Sequence, residues 1–134
     1  MIAGVADTHA IVWYLLKDPR LSDSARRFIE DAAAAGNQIA ISPISLAEIV
    51  YLVEKQRLPP AAYSELTKAL ADGNYVIAEA PFTAAIVEAM RQVPRAEVPE
   101  LPDRIVAATA VYFGVPVISR DSRISSSSVV QTIW

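Results

Sequence analysis

The chain of 134 residues contains no cysteine and a single histidine, His9. Disulfides and thiolate metal sites are therefore excluded, and the histidine-rich sites that suit zinc or copper cannot be assembled. Any metal must be held by carboxylates. No stretch approaches the roughly 20 apolar residues of a membrane span. The opening MIAGVADTH lacks a basic segment followed by a long apolar run, so a cytoplasmic protein without a membrane segment is expected. A basic excess is missing as well: 12 Lys plus Arg stand against 15 Asp plus Glu, a net charge of -3. Nucleic acid would find no general attraction, and contact with it would have to be local or metal-assisted. Nine of the twelve basic residues are arginine, the type suited to bidentate phosphate contacts, although an Arg-rich composition explains that equally well.

Apolar residues are plentiful, at 53%, and the length falls within one domain, so a single domain over residues 1–134 with a sizeable core is expected. IAGVA reads as a short buried strand ending at Asp7-Thr8, and HAIVWYLL as the helix after it. Ser22 offers an N-cap to a surface helix through ARRFIEDAAAA, with Gly36 at its C-terminal end. QIAIS is a second strand, followed by a helix over SPISLAEIVYLVEKQRL. Pro59-Pro60 opens the next helix, NYVIAEA is a third strand, and TAAIVEAMRQV is helical. The segment 94–102, with three prolines and three charges, reads as an exposed stiff loop before the helix DRIVAATAVYFG. VPVIS is a fourth strand, SRISSSS a polar turn, and VVQTIW a last short strand. Strands alternating with helices imply a mostly parallel sheet covered on both faces, a three-layer α/β/α sandwich, whose ligands bind beyond the carboxyl ends of the strands.

Those ends carry acids. Asp7 follows the first strand and Asp121 the fourth, so both should reach one edge of the sheet. Each also has a plain structural reading, Asp7 as an N-cap and Asp121 as a turn residue. Glu48 lies among Leu46, Ile49, Val50, Leu52 and Val53, in a helix apolar nearly all round and therefore expected to be largely buried. A buried carboxylate must be paired, protonated or bound to a cation, whereas a narrow exposed stripe would make it an ordinary surface residue. Asp103, directly after Pro102, suits the N-cap of its helix. Capping explains one acid at a time, not acids from four elements arranged to converge on one crevice. Clustered carboxylates raise one another's pKa unless a cation neutralises them, and hard oxygen donors without His or Cys point to Mg²⁺ or Mn²⁺. Such ions orient a phosphodiester, activate water and stabilise a leaving oxygen without a covalent nucleophile.

At these residues the chain resembles the PIN-domain family, and within it the VapC-like toxins. The resemblance is carried by VADTHAIVWYL at the start, SPISLAEI around Glu48, PDRIVAATA around Asp103, VISRDSRI around Asp121 and the terminal TIW, in the family's order over nearly the whole chain. It implies a Rossmann-like sheet and an endoribonuclease in which Asp7, Glu48, Asp103 and Asp121 coordinate Mg²⁺ or Mn²⁺. It also implies Thr8 and Ser119 as hydroxyls supporting the acids, an RNA substrate, a VapB-like antitoxin and a homodimer. Many relatives carry a further Asp where this chain has Glu100, which reads here as a solvated loop acid. His9 reads as a packed residue at a helix start. Arg104, Arg120 and Arg123 flank the acids, either to hold the RNA backbone or to form salt bridges with the cluster. The stripe Trp13, Tyr14, Leu15, Leu16 reads as core or oligomer surface, and the helices of Trp13 and Val50 as candidates for self-association or for the antitoxin peptide.

Competing classes fit less well. A response-regulator receiver domain would need an acid pair after the first strand and a lysine late in the chain, whereas the last lysine is Lys68. A phosphatase of the haloacid dehalogenase type would need Asp-x-Asp where Asp7-Thr8-His9 stands. The remaining alternative, a non-catalytic PIN-like binding module, would be marked by loss of one or more of the four acids, and all four are present.

Overall fold

Adjacent apolar residues in each short strand face opposite sides of a sheet, and here both sides are covered. The computed structural model describes residues 1–134. Its strands are β1 (Ile2–Ala6), β2 (Gln38–Ile41), β3 (Ile77–Glu79), β4 (Val117–Ile118) and β5 (Thr132–Ile133). They form one sheet in the order β3-β2-β1-β4-β5, every neighbouring pair parallel. Helices fill the crossovers: α1 (Thr8–Leu15), α2 (Asp23–Ala34), α3 (Pro43–Glu54), α4 (Ala61–Ala71), α5 (Ala84–Met90), α6 (Leu101–Phe113) and α7 (Ser122–Ser125). The expected three-layer α/β/α sandwich is present.

Adjacent strand residues divide the core in two. Ala6, Ile39, Ile41, Ile77 and Ile118 pack with α1, α2, α4 and Ile49 of α3. Val5, Ala40 and Val117 face the other way, against the alanine- and valine-rich α5 and α6 and Ile124 of α7. Small residues on α6 itself let it lie close on the sheet, where Ala107, Ala108 and Ala110 are fully buried. Gly4 serves a close approach on the opposite side, since a Cβ there would stand 2.9 Å from the Phe28 ring of α2.

Several boundaries differ from the sequence reading. α3 stops at Glu54 instead of running through Leu58, because the chain turns at Gln56, whose φ is 59°. α3 is also less buried than its composition implies: Val50 and Tyr51 are exposed, and Ser45 and Ile49 are its only buried residues. An apolar helix thus leaves one flank uncovered. β3 is shorter than NYVIAEA because Asp72 Oδ1 accepts from the Asn74 amide at 3.0 Å and holds those residues in a turn. The proline-rich segment is anchored rather than fully exposed, with Val93 and Val98 buried and Glu97 accepting from the Ser128 amide at 2.9 Å. The serine-rich turn contains the one-turn helix α7. Trp13 is 5% exposed and is therefore core, not surface for association. No helix is long and apolar enough to cross a membrane.

Candidate active site

The strand order reverses between β1 and β4, which lie side by side although β1 otherwise leads to β2 and β3. A crevice opens at the carboxyl ends of such a pair. The register Val5 to Val117 and Ala6 to Ile118 brings the next residues, Asp7 and Ser119, to that edge together. The Asp7 amide donates to the Ile118 carbonyl at 3.1 Å, which fixes the pairing at its last rung.

Asp7 is the N-cap of α1 as well as a cleft residue. Its Oδ1 accepts from the Ala10 amide at 2.9 Å, which leaves the second carboxylate oxygen for another partner. Burial pushes its carboxyl above the usual range, while the Ser119 hydroxyl, the Ala10 amide and His9 pull it back and Asp121 adds to the rise. Asp121 caps α7, accepting from the Arg123 amide at 2.8 Å, and its own amide donates to Ser119 Oγ at 2.9 Å. The buried Ser119 hydroxyl thus accepts from the backbone of Asp121 and also pulls the Asp7 carboxyl down.

Glu48 comes from the middle of α3. The buried Thr8 hydroxyl donates to its Oε1 at 2.6 Å, a short bond to a charged acceptor that fixes one rotamer. Asp103 is not the N-cap of α6. Glu100 occupies that position, and Pro102 completes the first turn, where its missing N–H costs nothing. The Asp103 side chain is thereby released from capping. Its carboxyl is pushed up to about 6, first by burial and then by Asp121, Glu48, Asp7 and Glu100, with no hydrogen bond to offset the rise.

Asp7, Glu48, Asp103 and Asp121 line one cleft of about 250 Å³, together with Thr8, His9, Glu100 and Arg123. Glu100, read from sequence as a solvated loop acid, is exposed as expected but stands on the cleft rim, paired with Arg123 at 2.7 Å. His9 is exposed rather than packed, its ring 5.6 Å from Trp13. Arg104 turns away from the acids and donates to the carbonyls of Val93 and Met90, each at 3.0 Å, tying α6 to the end of α5. Neither a phosphate contact nor a salt bridge to the cluster is its role. Sequence reading missed Arg20, which enters from the loop after α1 and lines the adjoining groove. No sequence spacing signals that approach.

The donor set is all hard oxygen, and its unrelieved repulsion at Asp103 is what a divalent cation would remove. No three of the acids already converge on one ion position. The side chains therefore fit a hard cation in chemistry, and must draw inward to hold one.

A parallel α/β/α sandwich with acids from four elements at its switch point defines the class, and the chain belongs to the PIN-domain family, whose model, described as PIN domain, matches residues 5–128. It is similar to ribonuclease VapC22 of Mycobacterium tuberculosis, 28% identical with all of both chains covered. Among solved structures it is similar to that of VapBC2 from Rickettsia felis bound to a DNA fragment from their promoter, with a TM-score of 0.71, 23% identity, and 98% of this chain and 97% of that one covered. A toxin-antitoxin complex from Klebsiella pneumoniae is also similar, with a TM-score of 0.64, 20% identity and coverage of 98% and 97%. These two likenesses concern the fold.

Proposed function

We propose that this chain is a divalent-metal-dependent endoribonuclease, the toxin of a toxin-antitoxin pair, built as a single PIN-like domain over residues 1–134 and acting in the cytoplasm. The observation that carries the reading is the convergence of Asp7, Glu48, Asp103 and Asp121, from four separate elements, on one cleft. Full-length similarity to a ribonuclease and structural likeness to toxin-antitoxin assemblies support it.

Asp7, Glu48, Asp103 and Asp121 are the residues that would hold Mg²⁺ or Mn²⁺. When bound, the ion would supply water activation and charge neutralisation at a phosphodiester. Thr8 orients Glu48, and Ser119 orients Asp7 and the loop of Asp121. Such outer partners set the direction of acidic ligands. Retention of all four acids favours catalysis over the alternative, a PIN-like module that only binds.

The partner is a VapB-like antitoxin, and the assembly is a homodimer. The exposed Val50 and Tyr51 on α3 offer apolar surface for such contacts. An arginine or lysine from the antitoxin would inhibit by entering the acidic cleft, where it relieves repulsion and competes with metal. Purified protein should cut single-stranded RNA with Mg²⁺ or Mn²⁺ and stop when EDTA is added. Full cleavage in excess EDTA would sink the metal-dependent mechanism. Expression alone should arrest growth, and coexpression with the antitoxin should restore it.

A further inference from the structure

A second groove, of about 500 Å³, runs from the acidic cleft and shares Asp7, His9, Asp121 and Arg123 with it. Its floor is Trp13. Two guanidinium groups lie over that indole, Arg120 at 4.6 Å and Arg20 at 5.1 Å from the ring centroid. His9 and Trp134 stand against the same ring at 5.6 Å and 5.8 Å. The indole is too buried to stack on a base, but its face is a seat for cations.

Arg120 is the informative residue. It is exposed, it immediately precedes Asp121, and it stands beside a cluster of carboxylates, yet its guanidinium forms no ion pair. Its guanidinium carbon lies over the Trp13 ring instead, a cation–π contact in place of an ion pair. Arg20 is held differently, donating to Asp18 through Nε at 3.0 Å and Nη2 at 2.7 Å while its guanidinium carbon lies over the same indole. An acidic protein has thus placed a preorganised, unneutralised guanidinium at the mouth of its acidic cleft.

We propose that Arg120, seated on Trp13 and seconded by Arg20, is a phosphate-binding subsite for single-stranded RNA. It would grip the backbone phosphate next to the one presented to the acids, with Trp13 and Trp134 as positioning residues beneath it. A guanidinium fork suits this task, since it offers paired donors to phosphate and is weakly hydrated. The identity of the anion rests on the ribonuclease reading, and the two can fail separately.

The test is binding of a labelled single-stranded RNA oligonucleotide by anisotropy across a salt series, in an Asp103→Asn background that removes cleavage from the measurement. Arg120→Ala should weaken binding about tenfold, and should reduce the slope of log affinity against log salt by about 0.7, the share of one phosphate contact on a single strand. Arg20→Ala should act in the same direction and less strongly, since Asp18 already offsets its charge. Arg120→Lys should keep the salt slope while losing affinity. RNA should also change the emission of the two tryptophans, and Arg120→Ala should remove that change. Trp13→Leu should behave as Arg120→Ala does; if it fails to fold, the arginine variants still decide.

Unchanged affinity and slope in both Arg120→Ala and Arg20→Ala would overturn the subsite, as would no RNA binding by the parent. If cleavage by the otherwise wild-type chain is normal in either case, the ribonuclease reading stands without it. Arg120-dependent binding in a chain that never cleaves RNA would keep the subsite and remove the ribonuclease reading.

Discussion

The acidic cleft and the arginine groove share four lining residues but hold their charges by opposite means. In the cleft, like charges are brought together and only partly compensated: Asp7 by an amide and a hydroxyl, Glu48 by Thr8, Asp103 by nothing. In the groove, Arg120 and Arg20 rest on an aromatic face and Arg20 is also paired. The cleft is therefore a site of stored repulsion awaiting a cation, whereas the groove is relaxed as it stands. Crowded like charge marks where a cation is needed, whereas Arg120 is seated on a ring without a counter-ion and so is left open to an anion.

The comparison breaks most visibly when an acid is removed. Asp103→Asn or Asp7→Asn should lower cleavage of an RNA substrate by more than the about hundredfold typical of outer residues around a metal. Relief of repulsion should leave the metal-free protein as stable as the parent or more so in thermal melts. Asn still caps a helix, so Asp7→Asn should not unravel α1. Unchanged cleavage would remove the residue from the site.

Next in size is the loss of a supporting hydroxyl. Thr8→Val keeps the shape but removes the donor to Glu48, and cleavage should fall about ten- to a hundredfold, with weaker metal affinity measured by titration. A variant that cleaves as the parent does would assign Thr8 to helix packing alone.

The charge on Asp103 gives a pH signature. Its folded carboxyl titrates at about 6 against an ordinary 3.8, so between these values the unfolded chain is the more ionised state. The Asp103 contribution to the stability of the metal-free protein should therefore be fully present below about pH 4 and be lost as pH rises through about 6. Asp7, also raised, acts in the same direction. Urea midpoints across this range should show the decline, and Asp103→Asn should flatten it. Metal affinity should run the other way, rising with pH through about 6 as the ligand deprotonates.

Arg104 marks the outer limit of both regions. Arg104→Ala removes two bonds to the Met90 and Val93 carbonyls and should cost about 1–2 kcal/mol by denaturant unfolding. Cleavage at a temperature where the variant is folded should match the parent. A specific loss of kcat/KM would place Arg104 closer to the site than its hydrogen bonds do.

Much of this arrangement was legible in the residues. Alternation of IAGVA, QIAIS and VPVIS with helical segments marks a parallel α/β sheet, and acids just beyond strand ends mark its functional edge. The resemblance implied Thr8 as a supporting hydroxyl, but nothing in the sequence pairs it with Glu48, 40 residues away. Asp103 stood as a ligand candidate with capping as its alternative, and that alternative fell away because the helix begins two residues earlier, at Leu101, with Glu100 as its cap. Arg104 looked like a site residue from its neighbour in sequence, but one step along a helix turns a side chain by about 100°. Arg20 was invisible because a loop after α1 brings it to Trp13.

The sequence by itself determined which segments become strands and helices, and that its chemistry rests on carboxylates. Periodicity, capping preference and the absence of soft ligands are local or compositional properties. Only the tertiary structure decided that β4 lies beside β1, that Asp103 is free of capping, and that Trp13 carries two arginines. Those outcomes depend on contacts between residues far apart in the chain, whose geometry is set when both faces of the sheet are packed at once.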